Sequence, residues 1–154
     1  QNYGARQYKR IYRILMVAQG FSIFVGVVFG NLAYLFGTPL LHIYSDSPAV
    51  IEAGLARLRI VSCTYALGGM MDVMVGCLRG IGYSVMPMIV SLVGSCLLRL
   101  VWIATVFQIP QYHSVQTIYL SYPITWIITF LIHVLCFVWA MRRLERQNAE
   151  QIEE

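Results

Sequence analysis

Charge is what this sequence has least of. Lys, Arg, Asp and Glu make up 12% of its 154 residues, against 58% hydrophobic residues and a mean hydropathy of +0.67. A soluble domain carries roughly twice that share of charge, so water is not the solvent of most of this chain. Familiar enzyme chemistry is missing too. There is no His–Cys metal spacing, no serine–histidine constellation and no phosphate-binding glycine loop, so an enzyme is not expected. The four cysteines, Cys63, Cys77, Cys96 and Cys136, form no CxxC pair and read as small apolar helix-packing residues. Neither a metal nor an organic cofactor is expected. No signal-peptide pattern is visible, and the chain opens on Gln1 in a polar, basic stretch, which leads us to expect a fragment whose N-terminal part is missing.

The positions of the few charges carry more information than their number. Ile14 to Ser45 has none, Gly80 to Leu98 has none and Val101 to Met141 has none; between Arg59 and Arg79 only Asp72 intervenes. A stretch of about 20 apolar residues crosses a hydrocarbon core roughly 30 Å thick. The longest stretch holds two spans, broken by the polar and proline-bearing run Gln108 to Ser114. The expected fold is therefore all-α and polytopic, with four transmembrane helices near 14–37, 56–78, 85–107 and 117–141. Residues 1–13 read as a cytoplasmic connection, 14–141 as the membrane region and 142–154 as a cytoplasmic tail that extends the last helix.

The net charge of +4 does not point to nucleic acid, because the basic residues flank apolar spans and do not cover a polar fold. Arg6, Lys9, Arg10 and Arg13 precede the first span, Arg79 sits at the second turn, and Arg142, Arg143 and Arg146 follow the last span. All fall on one side of a four-span topology, and the positive-inside rule makes that side, with both termini, cytoplasmic. Trp102, Trp126 and Trp139, with ten tyrosines, are enough for interfacial belts, and rings at mid-span suit a cavity for flat organic cations.

Small residues and intramembrane charges are the remaining signals. Gly26-x-x-x-Gly30 places two glycines on one face of the first helix, as close packing on a neighbour requires. In the second span Tyr65, Gly68, Gly69, Asp72, Gly76 and Arg79 recur at three- and four-residue spacings, which predicts a carboxylate in a groove of small residues on one face. An isolated carboxylate facing lipid costs at least ~2.5 kcal/mol, so Asp72 is expected to face protein or a watery cavity. Arg99 is the second intramembrane charge, about 18 Å from the shared cytoplasmic turn where Asp72 is about 10 Å from it, at 1.5 Å per helical residue. Three readings of Asp72 stay open: an ion bridge to Arg99, a site that binds H⁺ or Na⁺, and a carboxylate near the headgroups. His133 reads either as a proton relay or as a hydrogen-bonding link to a neighbouring helix. Pro123 predicts a kink in the fourth span, with Ser121 or Thr125 resolvating the backbone.

Several stretches together resemble the MATE (multidrug and toxic compound extrusion) family. Gln1-Asn-Tyr-Gly-Ala-Arg-Gln-Tyr-Lys9 is similar to a GQNxGAxxxxR-type segment that follows the second helix of each lobe, and Leu78-Arg-Gly-Ile-Gly-Tyr-Ser-Val-Met-Pro87 to an LRGxGxxxxP turn after the fourth. Ser47-Pro-Ala-Val-Ile51, Arg57-Leu-Arg-Ile60 and Ser121 to Phe130 are similar to the family's outer loop, next helix and last helix. The resemblance implies the last four helices of a twelve-helix, two-lobe antiporter. It also implies H⁺ or Na⁺ entry coupled to export of cationic or amphipathic compounds. Organic cations, membrane lipids and the missing N-terminal helices are then the expected partners, and the bacterial inner membrane the location. Some members carry a cation-site carboxylate one turn before Asp72, where this chain has Gly68. A flippase for a lipid-linked molecule and a small four-helix scaffold are the alternatives.

Overall fold

The computed structural model describes residues 1–153, and among these it contains helices, turns and no strand. The first helix, α1, runs Tyr8–Leu35 and is followed by a short α2, Gly37–His42. Ser47-Pro48 starts α3, Pro48–Val61, as the proline at its first turn predicts; the Ser47 side chain makes no cap bond, and its carbonyl instead accepts from the Val50 and Ile51 amides. Helix α4 is Tyr65–Gly80. The third span is a composite of α5, Val85–Ser91, a π-helical segment, Leu92–Leu97, and α6, Leu98–Ala104. Two 3₁₀ turns, Val106–Gln108 and Pro110–Tyr112, make the expected interfacial turn before α7, Val115–Glu153. Helix α7 continues into the expected tail as far as Glu153, the last described residue.

Tyr8–Leu35, Val85–Gln108 and Val115–Asn148 are each long and apolar enough to cross a membrane, and α3 with α4 supplies a fourth crossing if counted as one span. That second span is not the continuous helix expected over 56–78. It bends by 50° at Ser62-Cys63-Thr64. The break has a local cause: the Thr64 hydroxyl donates to the Ile60 carbonyl at 2.6 Å, and the Ser62 carbonyl is turned toward α1 at Gly30, where any Cβ would strike it. At the other end of α4 the expected turn forms through a different glycine property. Gly82 has φ +95°, the Tyr83 amide donates to the Leu78 carbonyl and the Gly82 amide to that of Arg79, closing the helix in a left-handed cap.

Three helices make the core. Ile11 and Leu15 of α1, Met74 and Leu78 of α4, and Phe137, Ala140, Met141 and Leu144 of α7 are buried together near the ends rich in arginine, with Ile81 of the α4–α5 turn. Apolar burial between helices gains little in lipid, so close backbone approach decides which faces meet. Gly26 and Gly30 do what their spacing predicts: a Cβ on Gly26 would lie 2.5 Å from Ala66 Cα.

Candidate functional site

Helix α4 is wedged between α1 and α7, and this divides the small-residue stripe that the sequence places on one face. Gly69 meets Ser22 of α1, Gly68 lies against the Trp126 ring of α7, and nothing approaches within 4 Å of a Cβ on Gly76. A stripe at three- and four-residue spacings is wide enough to touch two neighbours, which is why the expected single groove is split. The groove that does form, about 630 Å³, runs between α1 and α4 and is lined by Phe21, Val25, Phe29, Tyr65 and Val73 among others, with Gly26, Gly30 and Gly69 at its floor. Asp72 does not line it.

Asp72 lies on an exposed face of α4, between Gly68 and Gly76. The expected ion bridge to Arg99 is absent. Among the described residues the acid–base contact found is His42 Nδ1–Asp46 Oδ1 at 3.6 Å, an ion pair when the imidazole is protonated, and it lies at the α2–α3 connection. Arg99 turns toward α7 instead: its guanidinium carbon sits 3.8 Å above the Tyr122 ring and Nη2 donates to Thr125 Oγ1 at 3.3 Å. Its Nε is buried without a partner among the described residues. The aromatic side of Tyr122 attracts the cation, and no carboxylate competes for it. Tyr122 packs edge-on to Trp126, centroids 5.8 Å apart, and Trp126 packs edge-on to Tyr65 at 6.1 Å. Arg99, Tyr122, Trp126 and Tyr65 thus form one continuous contact line from α6 across α7 to α4. Two turns further along α4 lies Asp72.

His133 is not a cavity residue. Its side chain is 0% exposed, with Nδ1 2.9 Å from the Thr129 carbonyl and Nε2 3.3 Å from the Pro87 carbonyl and 3.4 Å from Ser91 Oγ. It links α7 to α5, in agreement with the hydrogen-bonding reading. It is also the last of a series that sequence reasoning missed. Thr117, Ser121, Thr125, Thr129 and His133 are all buried and recur every four residues. The hydroxyls of Thr125 and Thr129 each donate to the carbonyl one turn earlier, at 2.8 and 2.7 Å, while Ser121 donates to Ile118. Helix α7 stays continuous across Pro123, with the Thr125 hydroxyl also reaching the Tyr122 carbonyl at 3.1 Å. The i+4 polar period is present in the sequence, but only Ser121 and Thr125, as company for Pro123, and His133 by itself stand out without the buried face that joins them to Thr117 and Thr129.

Helices that satisfy their own backbones, turn apolar side chains outward and keep carboxylate, guanidinium and imidazole within their spans define a polytopic α-helical membrane protein. The MatE family model matches residues 1–105. The chain belongs to that family, whose members are membrane transporters of the MATE and flippase group. No curated protein and no solved structure matches it significantly.

Proposed function

We propose that this chain works in secondary active antiport, exporting cationic or amphipathic compounds against entry of H⁺ or Na⁺, with Asp72 as the ion-binding carboxylate. The observation that carries the reading is Asp72 itself: a carboxylate within a membrane span, on an open face, with no cationic partner among the described residues. Such a group is costly in lipid unless protonated, cation-bound or wetted, and each of these is a state an ion-coupled transporter uses. Binding of the ion and of the exported compound drive transport only through their different affinities for two packings of the helices. Tyr65 and Trp126, two turns away, suit the flat apolar part of such a compound. Helices outside residues 1–154 are the natural cover for the open faces of α1 and α4. The arginine distribution favours both ends of this segment on the cytoplasmic side, and the family resemblance favours the bacterial inner membrane.

A second reading, a flippase for a lipid-linked molecule, is favoured by one observation. Arg99, though held at Tyr122 and Thr125, has no carboxylate partner among the described residues, so its charge is left for an anion such as a phosphate to neutralise. The deciding experiment is Asp72→Asn in the native-length protein reconstituted in vesicles, driven separately by a pH gradient and a Na⁺ gradient. Ion-driven efflux is expected to fall at least about tenfold, equivalent to ~1.4 kcal/mol or more, with insertion unchanged. Undiminished ion-coupled efflux would remove Asp72 from the mechanism.

A further inference from the structure

The arginine-rich end of α7 has two faces of different character. Phe137, Ala140, Met141 and Leu144 are buried in the core shared with α1 and α4. The opposite face is open and forms a concavity of about 560 Å³. Its inner part is apolar, with Leu135 69% exposed, Trp139 51% exposed and Val138 beside them. Its outer part is lined by Arg142, Arg143 and Arg146, all exposed. At 1.5 Å per residue, Leu135 to Arg146 covers roughly 16 Å, close to half of a 30 Å hydrocarbon core. An occupant that lies along it meets hydrocarbon-like side chains first and three cations afterwards.

The boundary between the two parts is built. The Trp139 ring packs edge-on to Tyr83 of the α4–α5 turn, centroids 5.8 Å apart, and the Arg143 guanidinium carbon lies 5.6 Å from the centroid of the same indole. Arg142, Arg143 and Arg146 form no ion pair among the described residues, and Glu150, at the solvent end of the concavity, does not reach them. Arg146 stands three and four residues from the other two, so the like charges face one another on the helix surface and an anion between them relieves the repulsion.

A second basic concavity shows what is special about this one. It is lined by Arg6, Gln7, Tyr8, Lys9, Arg10 and Glu145, so apart from Tyr8 it has no apolar wall. Arginine near the membrane surface is common to both ends of the segment. Only on α7 do the cations continue into an apolar trough.

We infer that this face of α7 binds an anionic glycerophospholipid of the surrounding leaflet. Its phosphate accepts from Arg142, Arg143 and Arg146, for which guanidinium offers paired N–H donors. The glycerol region lies against Trp139, and an acyl chain follows Val138 and Leu135. A zwitterionic headgroup fits less well, because it brings its own ammonium group among the guanidiniums. The bound lipid spans the Trp139–Tyr83 contact and so braces the α4–α5 turn against α7. This site does not depend on the role of Asp72, and its test reads binding and not transport.

The test is native mass spectrometry of the native-length protein titrated with phosphatidylglycerol and, separately, with phosphatidylcholine of the same chains. Phosphatidylglycerol is expected to bind at least about tenfold more tightly at one site, since each basic residue at a membrane surface attracts anionic lipid. Arg142→Gln/Arg143→Gln/Arg146→Gln is expected to bring that preference within about twofold, whereas Lys9→Gln/Arg10→Gln/Arg13→Gln, with the same loss of charge, leaves it near the parent value. Trp139→Ala keeps every charge, and so the membrane orientation, and is expected to weaken phosphatidylglycerol binding at least about threefold through the lost apolar wall. Glycerol phosphate, which has the anion and no chain, is expected not to displace the lipid. No preference in the parent, an equal fall in both triple variants, undiminished binding by Trp139→Ala or displacement by glycerol phosphate each overturns the site.

Discussion

The two seams that hold this bundle together reach close contact by opposite means. Between α1 and α4 the helices approach because side chains are missing: Gly26 admits Ala66, Gly30 admits the Ser62 carbonyl and Gly69 admits Ser22. Between α7 and the α5–π–α6 span the contact is made by polar side chains, the hydroxyl series and His133, whose bonds go largely to the backbone of α7 itself. A seam of absent side chains has one geometry, because backbone meets backbone and neither gives. A seam of hydrogen bonds can be rewired, since a hydroxyl or imidazole exchanges partners without opening a void. The first is therefore the stiffer of the two.

The comparison is broken most severely at Gly30. Gly30→Ala drives a methyl into the Ser62 carbonyl at the bend between α3 and α4, and a loss of about 3 kcal/mol is expected, at the upper end of overpacking costs. Thermal unfolding in detergent would read it. A stability within about 0.5 kcal/mol of the parent would mean that this seam yields as readily as the other.

Gly94→Ala tests the polar seam and should cost less, about 1–2 kcal/mol, because it meets a side chain and not backbone. Thr129→Ala in the same chain should recover part of that loss, as contacting residues couple. Additive losses in the double variant would place the strain elsewhere.

The smallest effect belongs to Gly76→Ala on the open face beyond Asp72. Nothing lies within 4 Å of the added methyl, so unfolding should shift by less than about 1 kcal/mol, toward greater stability if helix propensity decides. A large loss would show that another helix packs there in the native-length protein.

Much of the frame could be read from residue order. The charge-free stretches locate the apolar spans, Pro48 marks the start of α3, and the Gly80-Ile-Gly82 turn marks the end of α4. The Gly26/Gly30 contact is legible because helical spacing puts both glycines on one face before any partner is known. What failed depended on relations between helices. Counting residues from a shared turn brought Asp72 and Arg99 within reach lengthwise, but it has no information on rotation about each helix axis, and Arg99 points to Tyr122. The second span looked continuous because its bend contains neither proline nor a charge; a threonine hydroxyl and a glycine on another helix make it.

The sequence alone determined the solvent, the location of the long apolar stretches, the placement of arginines and the presence of a carboxylate where carboxylates are expensive. These follow from hydropathy and length, which are properties summed along the chain. Only the tertiary structure decided which faces meet: that Asp72 is left open, that Arg99 is held by an aromatic ring, and that His133 sits between two carbonyls. Those outcomes turn on helix rotation and on ångström-scale approach between residues up to 46 positions apart, which no periodicity within one helix encodes.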